Sequence, residues 1–143
     1  MKFNGKTVGI WGFGIVGKSA AEFLTQKGAH VVIYDDRPLS NIPYPIVSRK
    51  ELLTHTDYLL PSPGVSTTSV RSSYHGTWLN ELDLFQTYVT RSVIAITGSV
   101  GKTSVTEGLT YALNQVGKKA VAVGNVGKGM LSIIQEQEHY DYI

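Results

Sequence analysis

The sequence predicts an α/β protein whose first domain is built on a parallel sheet and whose second domain begins toward the end of the chain. Two units of strand, glycine turn and helix indicate this fold, one with its turn at residues 12–17 and one with its turn at residues 98–101. Apolar strand-like runs alternate with helix-compatible segments, which favours parallel strands joined by right-handed crossovers. We therefore expect a first domain at residues 1–90 and the first part of a second at residues 91–143.

The first three elements predict a βαβ unit. Residues 7–11 are a short apolar run that ends in glycines, residues 18–26 carry apolar side chains at helical spacing, and residues 30–34 are rich in β-branched side chains. The other strands, each a short apolar run beside turn residues, are predicted at 57–60, 92–97 and 119–123, with a further strand starting at 140–143. The other helices, each compatible with helical spacing of apolar residues, are predicted at 49–54, 78–88, 102–116 and 130–137.

The first glycine turn has the pattern G-x-G-x-x-G at Gly12, Gly14 and Gly17, directly after a predicted strand. Glycines at these places allow a tight turn and close approach of the backbone, and the N–H groups that open the next helix attract a pyrophosphate. Asp35 ends the second strand 18 residues after Gly17, where dinucleotide-binding domains place an acid for the ribose hydroxyls. The pattern favours a Rossmann-like nucleotide site over glycines that merely pack a helix, and leaves the nucleotide open.

The second glycine turn, residues 98–103 with the sequence GSVGKT, is a short form of the P-loop. The common form would place a glycine where Ile96 stands. Backbone N–H groups of such a loop cradle phosphates, while Lys102 offers a positive charge and the Thr103 hydroxyl a ligand for Mg²⁺. We expect ATP and Mg²⁺ to bind a P-loop ATPase-like second domain through Gly98, Ser99, Val100, Gly101, Lys102, Thr103 and Ser104.

Two further turns follow predicted strands. Ser62, Pro63 and Gly64 come after residues 57–60, and a Gly-Asn-Val-Gly turn occupies residues 124–127. The carboxyl edge of an open α/β sheet is where ligands bind. Taken alone, each of these segments is more typical of a simple turn than of a ligand-binding site.

Composition limits the classes of function. The 143 residues hold 13 Lys and Arg against 11 Asp and Glu, a net charge of +2, which gives no broad basic field, so we expect no nucleic-acid partner. The chain lacks cysteine, which excludes a disulfide framework, a thiolate zinc site and a cysteine nucleophile. Without a signal-peptide pattern or an apolar run of about 20 residues, we expect a cytoplasmic monomer that does not enter a membrane.

Taken together, the motifs resemble the Mur ligases, ATP-dependent amide-forming enzymes of peptidoglycan synthesis. The resemblance is carried by GFGIVGKS, VIYDDRP, SPGVS, and AITGSVGKTSVTEGL followed by VGNVG, in an order and at separations that agree along essentially the whole chain. The Ser-Pro-Gly turn is most similar to the N-terminal part of the member that adds D-glutamate to UDP-N-acetylmuramoyl-L-alanine. Ser99 and Val100 stand where the family often has Thr and Asn, and ATP binding should survive because backbone groups dominate it.

The resemblance implies a mechanism and a set of site residues. In this family ATP phosphorylates the carboxylate of the UDP-linked L-alanine, and the amine of D-glutamate attacks the acyl phosphate. Lys102 and Thr103 would be catalytic, with Thr103 on the metal. The residues implied in substrate binding are Gly14, Ile15, Val16, Asp35, Asp36, Arg37, Ser62, Pro63, Gly64 and Asn125. Other parts of the family's machinery would lie beyond Ile143, so we expect an N-terminal fragment that forms no amide bond by itself.

Two other functional classes remain open. An NAD(P)-binding oxidoreductase domain would account for the first glycine turn and Asp35, but it leaves GSVGKT unexplained. A noncatalytic nucleotide-binding module would account for both loops without any turnover.

Overall fold

A four-stranded parallel sheet forms the centre of the fold, in a computed structural model that describes residues 2–124 and 128–143. The strands are β1 (Thr7–Trp11), β2 (His30–Tyr34), β3 (Tyr58–Pro61) and β4 (Thr77–Trp78). The helices are α1 (Ile15–Gln26), α2 (Arg49–Thr54), α3 (Glu81–Tyr88) and α4 (Lys102–Gln115), and short 3₁₀ helices lie at Met130–Ile133 and Gln137–His139. The predicted α/β class with a Rossmann-like parallel sheet is confirmed.

The strand order β2-β1-β3-β4 brings three strand ends level with one another. Trp11 at the end of β1 lies opposite Tyr34 in β2 and opposite Pro61 in β3. The chain leaves each of these strands at the same edge of the sheet. The glycine turn, residues 35–37 and residues 62–64 therefore start side by side, as the sequence predicts.

The alternation of side chains along the strands produces an apolar core on each face of the sheet. On one face the fully buried Val8 and Ile10 pack in a cluster with α1, α3 and the 3₁₀ helix Met130–Ile133. On the other face Trp11 and Leu59 pack with Leu52 of α2. Successive residues of a strand point to opposite faces, so β1 contributes to both cores.

Glycine at position 9 lets α2 approach the sheet closely. A β-carbon added there would lie 2.7 Å from Leu52 Cδ1. A contact that short would force Leu52 to shift, so the present packing of this fully buried side chain depends on the absence of a side chain at position 9.

The helix predicted at 78–88 is wrong at its start. Trp78 belongs to β4, where Leu59 pairs with it, and the helix begins at Glu81 after Asn80 caps the Leu82 N–H at 2.9 Å. The threefold spacing of apolar residues predicts a helix here, whereas the strand is defined by its long-range pairing with β3. Local periodicity carries no information about such a partner.

The strands predicted at 92–97 and 119–123 are replaced by isolated bridges, one in the first segment and, in the second, one at Ala120 and one between Val123 and Lys128. Ser92 and Ala120 each pair in parallel with Tyr142, which lies between the two segments. The shared partner is the three-residue stretch 141–143, which provides few ladder hydrogen bonds for its neighbours. The helix predicted at 130–137 is likewise replaced by two 3₁₀ helices, whereas that predicted at 102–116 is confirmed as α4.

Residues 129–134 pack against the first helix. Leu131 and Ile133 are buried in the same core cluster as Val8, and the Ser132 N–H donates to Ser19 Oγ at 2.9 Å. A β-carbon on Gly129 would lie 2.4 Å from the Cβ of Ser19. This segment of the predicted second domain thus completes the core of the first sheet, and the domain boundary near residue 90 stays a prediction.

Candidate functional site

The first glycine turn is held tightly against the start of α1. Gly12 adopts the left-handed φ of +94°, and α1 begins at Ile15 rather than at residue 18 as predicted. A β-carbon on Gly17 would lie 2.0 Å from the Gly12 carbonyl oxygen. A β-carbon on Gly14, in contrast, would meet no atom within 4 Å. Gly17 is therefore required for packing, while the space beside Gly14 is open to a ligand.

The Asp35 carboxylate holds the glycine turn through a hydrogen bond from the backbone of Phe13. Its Oδ2 accepts the Phe13 N–H at 2.7 Å, and its Oδ1 accepts the Arg37 N–H at 2.9 Å and Nε–H at 3.2 Å. Burial would raise the pKa of this carboxyl, but the hydrogen bonds from Phe13 and Arg37 outweigh burial, and the pKa lies below its ordinary value. The side chain is only 5% exposed, so these bonds occupy the group predicted to meet a ribose.

Ser62 joins the third strand end to the glycine turn. Its N–H donates to the Trp11 carbonyl and its hydroxyl to the Gly12 carbonyl, both at 2.8 Å. The Ser62 carbonyl accepts the Val65 N–H, which closes the turn around Pro63 and Gly64. The Ser-Pro-Gly turn consequently shapes the edge of the sheet through its hydroxyl.

Asp36 and Arg37 face outward from the same edge. Asp36 accepts the Tyr34 hydroxyl at 2.8 Å and the Trp11 indole N–H at 3.4 Å. The Arg37 side chain is 78% exposed although its Nε lies on Asp35, so most of its guanidinium is accessible to an anion. Of the residues predicted in substrate binding, Arg37 is the one that carries a positive charge, and its side chain is accessible.

At the predicted phosphate loop the chain turns at two glycines with positive φ. Gly98 and Gly101 have φ values of +150° and +80°, and Gly101 caps the N-terminus of α4. A β-carbon on Gly101 would meet nothing within 4 Å, and Lys102 Nζ donates to the Gly98 carbonyl. The open loop, the helix N-terminus and the cation fit a bound phosphate.

One cleft of about 420 Å³ joins the two predicted sites. Val16 and Pro63 from the edge of the first sheet line it on one side, and Lys102 and Thr103 of the phosphate loop line it on the other. The fold thus brings residues predicted for the nucleotide-linked substrate and residues predicted for ATP around a common space.

A second cleft of about 570 Å³ lies beside the Ser-Pro-Gly turn, with Ser62, Arg71 and Asp83 among its lining residues. The two clefts share a wall, formed by Val16, Pro63, Glu81, Leu82 and Met130.

Glu81 in this wall is a residue that the sequence did not single out. It is 7% exposed, and its carboxyl oxygen Oε1 is buried without a hydrogen-bond partner. Burial raises the pKa of Glu81 to about 7, partly opposed by the backbone amides of Met130 and Leu131 beside it. An acid at the start of a helix is normally explained by the helix dipole, so the sequence held no signal for its burial.

The remaining predicted residues are distributed around the same region. Ile15 is 50% exposed at the start of α1, and Val100 is 93% exposed in the phosphate loop beside Ser99 and Ser104. Asn125 lies outside the described residues. Among residues 2–124 and 128–143, no group of three His, Cys, Asp or Glu side chains is arranged to hold a metal ion.

The sheet and its edge define a Rossmann-like α/β protein. The chain is similar to the UDP-N-acetylmuramoylalanine–D-glutamate ligase of Chlamydia muridarum, with 34% identity over 142 residues that cover 91% of this chain and 34% of the relative. The ligase of the same name from Pasteurella multocida is 30% identical over 154 residues, covering 99% of this chain and 35% of the relative. The resemblance to the Mur ligases is confirmed, and the chain spans about a third of the length of the curated relatives it matches.

Two other comparisons concern the fold. A pseudomurein peptide ligase type C from Methanothermus fervidus superposes with a TM-score of 0.53 at 20% identity, covering 96% of this chain and 32% of that chain. The family model for the NAD-binding domain of D-isomer-specific 2-hydroxyacid dehydrogenases matches residues 1–69, which end before the phosphate loop. Within the described residues, no helix has the length and apolar character needed to cross a membrane.

Proposed function

We propose that this chain carries the uridine-nucleotide site and the phosphate loop of an ATP-dependent ligase, which adds D-glutamate to UDP-N-acetylmuramoyl-L-alanine in peptidoglycan precursor synthesis. The observation that carries the proposal is the cleft shared by Val16 and Pro63 with Lys102 and Thr103. A ligase that activates a carboxylate with ATP needs both substrates around one space. The similarity to named D-glutamate ligases along 91% of the chain supports the same reaction. We place this activity in the cytoplasm and on a monomer.

The chemistry assigned to this chain is charge compensation and positioning. A carboxylate is a poor electrophile until it is phosphorylated, and negative charge builds up on the phosphates during that transfer. Lys102 would place its ammonium group against this charge, and Thr103 would offer its hydroxyl to the Mg²⁺ that accompanies ATP. When bound, Mg²⁺ would supply further charge neutralisation at the phosphates.

The uridine end of the substrate is assigned to the edge of the first sheet. Gly14 leaves room for close approach of a phosphate to the backbone, and the exposed Arg37 offers a guanidinium there. Asp35 would act by holding the turn and Arg37 in place, because its oxygens already accept their N–H groups. Ser62 would likewise hold the turn in place, through its hydrogen bond to the Gly12 carbonyl. Asn125 is proposed as a substrate contact on the family resemblance alone.

Calorimetric titration with UDP-N-acetylmuramoyl-L-alanine tests the uridine site. We expect Gly14→Leu to weaken binding at least tenfold, because the new side chain fills the space through which a phosphate would approach; a loss of that size is about 1.4 kcal/mol. Gly108→Leu in α4 is the matched control, since a β-carbon there also meets no atom within 4 Å, and it should keep the affinity. Unchanged affinity in folded Gly14→Leu would reject the placement of the nucleotide on this turn.

The phosphate loop is tested with Lys102→Ala in the full-length protein. We expect D-glutamate-dependent phosphate release to be nearly abolished, because the transition state loses several kcal/mol of stabilisation. Binding of the UDP-linked substrate should be largely unchanged. Lys118→Ala is the control, since this lysine lies after α4 and away from the loop. Phosphate release near the wild-type rate in Lys102→Ala would contradict the assignment.

A dehydrogenase-type nucleotide site is the second candidate, supported by the family model that matches residues 1–69. Such a site accounts for the first glycine turn but leaves Lys102 and Thr103 without a function. Titration with NADH under the same conditions separates the two. Tight NADH binding without binding of the UDP-linked substrate would favour the dehydrogenase type.

A further inference from the structure

A close contact joins the first helix to the segment that follows residue 128. Gly129 is buried against α1, and a β-carbon there would lie 2.4 Å from the Cβ of Ser19 and 2.7 Å from its Oγ. The backbone of Gly129 has φ −62° and ψ 149°, a conformation that any residue adopts. Glycine at this position is therefore explained by the lack of space and not by backbone conformation.

Hydrogen bonds lie at the same contact. Ser19 is 5% exposed, and its Oγ accepts the Ser132 N–H at 2.9 Å. The same N–H also donates to the Gly129 carbonyl at 3.2 Å, and the Ser132 hydroxyl donates to that carbonyl at 2.7 Å. We call Ser19, Gly129 and Ser132 the α1 joint. Because close packing and a hydrogen bond to a buried side chain act at one place, the segment has little freedom to slide along α1.

The α1 joint connects two residues that line both clefts. Val16 lies one turn before Ser19 on the same face of α1, within the first glycine turn. Met130 follows Gly129 directly. Val16 and Met130 each line the cleft of the phosphate loop and the cleft beside the Ser-Pro-Gly turn. The position of the wall between the clefts, relative to the glycine turn, thus depends on the joint.

We propose that Ser19 and Gly129 are positioning residues of the ligase reaction, which hold the nucleotide edge and the cleft of the phosphate loop at the separation that lets the substrate carboxylate meet the γ-phosphate of ATP. The inference rests on the proposed function for the identity of both ligands. Neither residue lines a cleft, so each acts through its neighbour on the wall, Val16 or Met130. A misplacement of about 1 Å between reacting groups can lower a rate about 100-fold.

Gly129→Ala in the full-length protein tests the positioning. The new methyl group must move about 1 Å farther from Ser19 to reach an ordinary van der Waals separation, and Met130 would move with it. We expect D-glutamate-dependent phosphate release at saturating substrates to fall at least tenfold, while the dissociation constants of ATP and of the UDP-linked substrate change less than twofold. Gly108→Ala in α4, where a β-carbon meets no atom within 4 Å, is the matched control and should keep the wild-type rate. Wild-type turnover in Gly129→Ala, or a loss confined to ligand binding, would overturn the proposal.

A second substitution separates positioning from stability. Ser19→Gly removes the atoms that the new methyl group overlaps, so the double variant Ser19→Gly/Gly129→Ala should recover most of the turnover that Gly129→Ala loses. Glycine inside α1 lowers the stability of the helix, so a merely structural role predicts that the double variant is less active than Gly129→Ala. A folded double variant without recovery would reject the joint as the cause of the loss.

The hydrogen bond of the joint is tested in the 143-residue chain without any ligand. Ser19→Ala keeps the Cβ and removes one acceptor of the Ser132 N–H, so we expect amide exchange at Ser132 to become at least threefold faster relative to Leu24 of α1. Ser73→Ala, which removes a hydroxyl that donates to the Val70 carbonyl, is the control and should leave exchange at Ser132 unchanged. Exchange at the wild-type rate in Ser19→Ala would overturn the joint.

Ser19→Ala also decides the positioning role if Gly129→Ala does not fold. In the full-length protein its turnover should fall at least threefold with both dissociation constants unchanged, and wild-type turnover would reject the role. Absence of D-glutamate-dependent phosphate release in the wild-type protein would count against the proposed function, and the exchange result would still decide whether the joint exists.

Discussion

The Asp35 carboxylate receives the backbone N–H of Phe13 at 2.7 Å, so the acid at the end of β2 holds the glycine turn that follows β1. The two residues belong to neighbouring strands whose ends lie level. An acid at this place in the sequence would ordinarily be assigned to a ribose. Here its oxygens are engaged by the protein, which makes the shape of the turn depend on Asp35.

Replacing Asp35 should destabilise the chain. In Asp35→Ala the buried Phe13 N–H loses a charged acceptor, and we expect the free energy of unfolding to fall by about 2 to 3 kcal/mol at pH 7. Because the pKa of Asp35 lies below its ordinary value, its contribution is present at neutral pH and is lost as the pH falls below about 4. Urea unfolding of the wild type and the variant at both pH values measures this.

Asp36→Ala is the matched control for that experiment, since among the described residues Asp36 accepts hydrogen bonds from side chains, those of Tyr34 and Trp11. We expect its cost to stay near 1 kcal/mol. Equal losses for the two variants would show that holding the turn is not the particular task of Asp35.

The contact between Gly17 and Gly12 predicts a second effect. A methyl group at position 17 would overlap the Gly12 carbonyl oxygen, so Gly17→Ala must displace either the turn or α1. We expect a loss of at least about 2 kcal/mol in unfolding free energy. Gly14→Ser, in open space at the N-cap of α1, should change stability by less than about 0.5 kcal/mol. Similar stabilities for the two variants would contradict this packing.

The buried Gln137 predicts a third effect. Its Oε1 accepts the N–H and hydroxyl of Thr90, and its Nε2 donates to the carbonyls of Tyr88 and Ile134. In Gln137→Ala these groups lose their partners, and we expect a cost of about 2 to 3 kcal/mol by thermal or urea unfolding. Gln135→Ala, at an exposed position, should cost little. A negligible loss in Gln137→Ala would mean that water replaces the side chain fully.

Glu81 predicts the pH dependence of stability. Its pKa in the folded chain is raised from 4.5 to about 7, so the folded state retains a proton that the unfolded state releases. Stability is therefore fully present below about pH 4.5 and declines as the pH rises through 7, by about 1 to 3 kcal/mol. Equilibrium unfolding between pH 5 and pH 8 should show this slope in the wild type and a flatter curve in Glu81→Gln. A slope that Glu81→Gln leaves unchanged would assign the effect to another group.

The elements of the first sheet could be predicted where local pattern and tertiary structure agree. β1 and β2 have the predicted bounds because a short apolar run before glycines and a β-branched run have few other interpretations. The helical spacing around Trp78 predicts a helix, because the strand at this position is defined by its pairing with Leu59, which local pattern does not encode. Residues 92–97 have strand-like side chains, yet extended pairing needs a partner, and Tyr142 supplies a single bridge.

The candidate site was predictable in its location and less so in its internal bonds. Parallel strands bring Gly12, Asp35 and Ser62 to one edge, a consequence of topology that the sequence pattern contains. That Asp35 and Ser62 bond the turn itself depends on distances of 2.7 and 2.8 Å, which no spacing in the sequence encodes. The burial of Glu81 and Gln137 is not predictable from the sequence, because polar residues within amphipathic segments are ordinarily solvated.

The hydrogen bond between Ser132 and Ser19 joins residues 113 positions apart, and it has a consequence for biosynthesis. A nascent chain can form the first strands and α1 long before Leu131 and Ile133 emerge from the ribosome. Until then, the sheet face that holds Val8 is left partly uncovered. Such late closure slows folding and prolongs the exposure of apolar surface to aggregation or chaperone capture. The order in which the polypeptide is made thus leaves its first α/β unit unfinished until residue 134 is available.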